Sequence, residues 1–263
     1  MKKTSLAVSV MLLAVVLLAA CGSTGVSRIQ FSSAAVESSV RVELKLDSDA
    51  IITPEMLESI TELAVMFDEK GTDLSDLKRM PNLQLLMIAG AEIEGFEVLA
   101  GMTQLSDIAL YNSYVEDIQG LQALPALERL TLSSTYVKNI DGISKLSGLR
   151  YLAMPAAGVD DISFVSGLKN LEYLAFPFNT VKDIEAVAEL NALEELNAAY
   201  NFIQDISPLG GALKLKRVNL EYNAIEDVSV FDAFESMEMI YLRGNQIVDG
   251  SPLDRIECND ILR

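Results

Sequence analysis

The sequence predicts an α/β solenoid, a stack of short coils with a parallel sheet on the concave side and short 3-10 or single-turn helices on the convex side. Three observations predict it. First, a phrase repeats at a fixed spacing of 22 residues, with starts at Leu83, Leu105, Leu127, Leu149, Leu171, Leu193, Leu215 and Met237, and a fixed period in the 20–50 range marks a stacked array. Second, offsets 0, +3, +5, +10, +13 and +16 from each start are apolar in nearly every copy. Third, the +3/+5 alternation has the period of a strand, so stacked copies place neighbouring strands about 4.8 Å apart.

Met1-Lys2-Lys3 is a short basic start, followed by an apolar run from Leu6 to Ala20 broken only by Ser9. The run is short for a bilayer span and suits the apolar region of an export signal. It closes on Leu18-Ala19-Ala20-Cys21, which resembles a bacterial lipobox, in which the cysteine is acylated and becomes the mature N-terminus. Residues 1–20 are therefore expected to be a lipoprotein signal peptide and 21–28 a lipidated tether, with Cys21 as the lipidation site. Two or more acyl chains, at about 0.8 kcal/mol per buried CH2, give a stable membrane anchor.

Residues 29–59 read as an N-terminal helical cap, because a solenoid otherwise exposes the apolar end of its first coil. Val36, Val40 and Leu44 are spaced four apart, a helical face. Thr53-Pro54 opens a second, short helix, threonine as N-cap and proline in the first turn. The repeats then run from 60 to 258 in about nine units. The first is irregular and holds one extra residue near Gly71. Residues 259–263 are left as a tail in which Ile261-Leu262 begins one more strand edge.

The columns divide the labour. Offset +8 holds Asn179, Asn201, Asn223 and Asn245 in the later copies but Ala91, Ser113, Thr135 and Ala157 in the earlier ones. The amide of an asparagine bonds backbone groups of adjacent turns, so the N-terminal half is expected to have a weaker spine. Offset +12 holds Asp117, Asp161, Asp183, Asp205, Asp227 and Asp249. Each either caps its own turn or contributes to a calcium row. One carboxylate per turn supplies too few ligands per ion for the latter. Ser207-Pro208-Leu209 and Ser251-Pro252-Leu253 resemble helix starts.

The phrase L-x-x-L-x-L-x-x-N-x-[I/V] is that of leucine-rich repeats. With Asn-x-[Ile/Val]-x-Asp-Ile, the Ser-Pro-Leu turns and the cap sequence Ile52-Thr-Pro-Glu-Met-Leu57, the chain resembles the internalin-like leucine-rich repeat proteins of bacteria over about residues 29 to 258. The resemblance implies a curved right-handed solenoid whose concave side binds proteins. The chain departs from that family in lacking an immunoglobulin-like domain after the repeats and in carrying a lipobox instead of a cell-wall sorting tail.

Composition excludes several functions. The formal net charge is −18, and removal of Lys2 and Lys3 leaves 18 basic against 38 acidic side chains, a net of −20. Such a surface repels nucleic acid. There is no histidine or tryptophan, and neither a zinc set nor an internal disulfide framework can be assembled. Cys258 is a buried free thiol or an intermolecular bridge. No cofactor is implied. The acids recur in columns instead of forming one constellation, and no Gly-x-Ser-x-Gly or phosphate-loop phrase occurs, so no enzymatic activity is expected.

All eight tyrosines lie at offsets +2, +4, +6, +7 or +9, away from the core columns. Tyr111, Tyr151, Tyr173, Phe178, Tyr200, Tyr222 and Tyr241 are the expected partner-binding residues. They form a stripe about 29 Å long at sheet spacing over a floor of Ala153, Pro155, Ala175, Pro177 and Ala199. Tyrosine suits interfaces because a large apolar face and a polar tip come at low entropic cost. The expected protein is an exported, lipid-anchored monomer of the bacterial envelope that binds a protein partner. The alternatives are a cell-wall carbohydrate-binding lipoprotein, its tyrosines stacking on sugar rings, and a spacer.

Overall fold

A computed structural model describes residues 29–67 and 72–262. The signal peptide, Cys21, the tether and the extra residue near Gly71 lie outside the described residues. Two helices open the described chain. The first, Ala34–Glu43, is capped by the Ser33 hydroxyl and buries Val36 and Val40. The second, Pro54–Glu58, has Thr53 as N-cap with its side chain accepting from Met56 N–H. Asp76, almost fully buried, accepts from Ser32 N–H at 2.7 Å and Ser33 N–H at 2.9 Å. This carboxylate clamps the cap to the first coil. The start of a helix favours a negative charge there.

Ten strands then form one parallel sheet, each pairing only with its neighbours in sequence: Glu62–Met66, Leu85–Ala89, Asp107–Tyr111, Arg129–Ser133, Tyr151–Ala153, Tyr173–Ala175, Glu195–Asn197, Arg217–Asn219, Ser236–Tyr241 and Glu257–Leu262. The register advances by 22 residues per step across the regular copies, as in Tyr151↔Tyr173 and Glu195↔Arg217. Each coil returns through a short 3-10 turn such as Ser207–Gly211. In the repeat at Leu171 the six apolar offsets are Leu171, Leu174, Phe176, Val181, Ile184 and Val187. All are buried, so they form one continuous core with their equivalents. The chain is an α/β leucine-rich repeat solenoid.

The C-terminal end differs from the expectation. Residues 259–262 belong to a strand longer than the edge expected at Ile261-Leu262: Glu257–Leu262 pairs with Ser236–Tyr241, Met237 opposite Cys258 and Ile240 opposite Ile261. The last step is 21 residues, one short of the period. A search at 22 therefore puts Cys258 and Ile261 out of phase with the core columns they occupy. Cys258 is a free, half-buried cysteine.

The spine changes character midway. Asn201 Oδ1 accepts from Val181 N–H at 3.0 Å, and its Nδ2 donates to the carbonyls of Phe176, Ala198 and Ala199 at 3.0–3.2 Å. Asn179 and Asn223 do the same. In the earlier copies Ser113 Oγ accepts from Ala91 N–H at 3.1 Å, and Thr135 Oγ1 from Ser113 N–H at 3.3 Å. There Glu92–Ile93, Tyr114–Asp117 and Tyr136–Asn139 pair as a second parallel sheet of three strands. Tyr114 N–H bonds the Ala91 carbonyl, at +8, whereas Phe202 N–H bonds the Val181 carbonyl, at +10. Backbone pairing thus supplements hydroxyls where the asparagines are missing, and the expected weakness is partly compensated. Each +12 aspartate from Asp117 to Asp249 accepts the N–H two residues on at 2.7–2.9 Å, capping its own turn.

Asn201→Ala strands several buried backbone groups at once and is expected to lower the unfolding free energy by about 2–3 kcal/mol, against about 1 kcal/mol for Ser113→Ala. Urea denaturation of the two variants measures the difference.

Candidate functional site

In-register stacking turns each offset into a row, and the aromatic residues fall into separate rows. At offset +2 the strands place Asp107, Arg129, Tyr151, Tyr173, Glu195 and Arg217 side by side. Asp107 pairs with Arg129 at 3.0 Å. The Arg129 guanidinium lies 3.8 Å over the Tyr151 ring, and Tyr151 stacks on Tyr173 at 4.3 Å with planes 4° apart. Glu195 then pairs with Arg217 at 2.6 Å. Attractive contacts thus run from Asp107 to Tyr173 and again from Glu195 to Arg217. Burial first, then the Tyr151 phenol and the Glu195 carboxylate, push the Tyr173 phenol up to about 12.

The second row, at offset +7, lies five residues further along each coil, so Tyr173 and Phe178 are separated by at most about 17 Å of extended chain. Here Phe178 stacks on Tyr200, and Tyr200 on Tyr222, each pair at 4.4 Å and 15°. The rings are 59 %, 41 % and 38 % exposed respectively. Every residue in this column from Gly90 to Gly244 has a positive φ: Gly90, Asn112, Ser134, Ala156, Phe178 (60°), Tyr200 (56°), Tyr222 (53°) and Gly244. The left-handed conformation costs a residue other than glycine roughly 1–2 kcal/mol, less for asparagine. A Cβ on Gly244 would come within 2.6 Å of the Tyr222 ring, so the stack ends over that glycine. Bulky rings at three successive left-handed positions are the least expected feature of the chain. Outliers of this kind cluster where a site over-determines the backbone.

Between the two rows lies the floor read from the sequence. Ala153, Ala175 and Ala199 are buried, and Pro155 and Pro177 are half-buried. The expected single stripe is therefore two stacks flanking a shallow apolar strip. The structure brings Tyr151 and Tyr173 together, and separately Phe178, Tyr200 and Tyr222. Tyr111, at +6, and Tyr241, at +4, stand apart from both. Tyr241 donates to Asp260 Oδ2 at 2.5 Å, and that bond is the main cause raising its phenol above the ordinary value. Tyr114 and Tyr136 make a third stack at 5.9 Å, which the stripe omitted. Phe202, at +9 beside the tyrosines, is 55 % exposed. The left-handed column had a readable signal, because Gly90, Asn112 and Gly244 share it. Among the described residues no acidic or thiol group of three or more could hold a metal ion, and no helix is long and apolar enough to cross a membrane.

No protein-family profile and no curated protein sequence matches the chain. Solved structures do. An internalin, inlF, from Listeria monocytogenes is 24 % identical, with 88 % of this chain covering 83 % of that one at a TM-score of 0.57. Internalin C2 of the same organism is 21 % identical, with 88 % covering 93 % at 0.66. TLR13, solved in a complex with ssRNA13, is 20 % identical, with 80 % of this chain covering 33 % of that one at 0.66. At these identities the likeness establishes the leucine-rich repeat fold.

Tyr173 supplies a direct check of the +2 row. A phenol raised in the folded state keeps its contribution to stability below the unfolded value near 10 and loses it as pH climbs towards 12. Ultraviolet titration of phenolate absorbance should show a late component near pH 12 that shrinks by one phenol in Tyr173→Phe, with unfolding easier above pH 10.

Proposed function

We propose that the chain is an exported lipoprotein, anchored to the bacterial envelope through acylated Cys21, that acts as a monomeric protein-binding module with no catalytic role. One observation carries the binding assignment: the exposed stack Phe178–Tyr200–Tyr222, held in left-handed backbone where the other copies carry glycine, asparagine, serine or alanine. Rings kept there at conformational cost, beside an apolar strip of alanine and proline, suit desolvated contacts with a protein surface. Tyr151 and Tyr173 form the opposite wall, already tied into their row by Arg129 and by each other. Tyr111 and Tyr241 belong to the margins of this surface.

What a solenoid of this fold binds depends on its surface, and a net charge of −18 opposes the binding of RNA or DNA. Sugar stacking needs open ring faces. In both stacks neighbouring rings cover each other's faces at 4.3–4.4 Å, which favours a protein over a glycan. Export and anchoring rest on the basic start, the apolar run and Leu18-Ala19-Ala20-Cys21.

The full chain, held in detergent micelles, serves as bait on envelope proteins of the producing cell. A second bait carries Phe178→Asn, Tyr200→Asn and Tyr222→Asn. A partner retained by the first and lost by the second is the expected result. Equal capture by both, with both folded, rejects the ledge as the contact. Mass spectrometry of the mature N-terminus is expected to find acyl groups on Cys21, and Cys21→Ser should release the protein from the membrane fraction.

A further inference from the structure

Beside the +7 stack the chain turns away from the concave side, and two residues beyond Tyr200 it places Phe202 on the flank of the solenoid. Below Phe202 lie two adjoining clefts of about 720 and 690 Å³. Asp183, Glu185 and Asp205 line the first with Phe202, and Asp205, Glu226 and Asp227 line the second. Asp205 is common to both. The only base among the lining residues is Lys182, so the trough is strongly anionic. Asp183 and Asp205 each use Oδ1 to accept from their own turn, at 2.7 and 2.8 Å.

We propose that the aromatic ledge of Phe178, Tyr200, Tyr222 and Phe202 docks an arginine-bearing segment of the protein partner, its guanidinium groups passing Phe202 into the acidic trough. This inference rests on the protein-binding reading and names the chemistry of the partner. The charge of the trough selects a cation, and the exposed ring of Phe202, outside the stack, selects one that lies flat on it. A guanidinium does both, forking to carboxylates while lying flat on a ring, whereas an ammonium is a hydrated point charge. The chain itself contains the arrangement: Arg129 sits between the Asp107 carboxylate at 3.0 Å and the Tyr151 ring at 3.8 Å. The trough spans two coil spacings, about 10 Å, which matches about three residues of extended peptide.

The test titrates the full chain in detergent micelles with a fluorescent peptide alternating arginine and glycine, read by anisotropy at physiological ionic strength. Asp183→Asn with Asp205→Asn keeps the side-chain oxygen that caps each turn and removes both charges; Asn139 already occupies this column. Phe202→Thr copies Thr180 in the preceding coil. Asp117→Asn with Asp249→Asn removes the same charge elsewhere. Each trough change is expected to weaken the peptide about tenfold, the equivalent of about 1.4 kcal/mol, and the remote pair less than about twofold. A lysine–glycine peptide should bind more weakly than the arginine one. Equal weakening by the two aspartate pairs, no weakening by either trough change, or a lysine peptide as tight as the arginine one overturns the inference. If the asparagine-substituted ledge still loses an envelope partner in such a case, the protein-binding reading stands without it. If no partner is lost, both fall.

Discussion

In-register stacking of successive coils governs everything else in this protein. Once each strand lies about 4.8 Å from the next with a 22-residue step, a side chain's nearest neighbours are its equivalents in the coils before and after. A residue type must therefore be compatible with itself or with its row. The apolar columns satisfy this by close packing, which makes a single core from Val36 to Ile256. The asparagines satisfy it by passing hydrogen bonds from coil to coil. Charged residues satisfy it by alternation, as in Asp107–Arg129 and Glu195–Arg217.

The same rule explains why aromatic rings accumulate as stacks. A ring at one coil offers its face to the next at close to the natural stacking distance, so Tyr151–Tyr173 and Phe178–Tyr200–Tyr222 form without further guidance. Each stacked pair contributes roughly 0.5–1.5 kcal/mol. At offset +2 that gain comes on ordinary strand backbone. At offset +7 it is opposed by left-handed strain of similar size, so stability gives little reason for rings there. This contrast is why the proposed contact surface is the +7 ledge more than the +2 row.

Much of the fold was legible because it repeats. Period, core columns, the Thr53-Pro54 helix start and the aspartate caps each appear several times or carry a local signature. Features that occur once were harder to read. The final strand sits at a step of 21, and the second sheet of Glu92–Ile93, Tyr114–Asp117 and Tyr136–Asn139 arises where serine and threonine replace asparagine. The site was half legible. Pooling the tyrosines by their distance from the core identified surface residues but merged two rows, because the backbone twist at +7 separates Tyr200 from Tyr173. Gly90, Asn112 and Gly244 in that column signal the twist that the other copies share, and reading the column vertically reveals it.

The central claim is that the +7 rings serve the surface at little benefit to the fold. The unfolding free energy of Phe178→Asn, measured by urea denaturation, tests it most directly. Strain relief and the loss of one stacked pair nearly cancel, so the expected change is below about 1 kcal/mol. A loss of about 3 kcal/mol or more, the size that truncation of a buried phenylalanine gives, would make the ring a structural element and contradict the account.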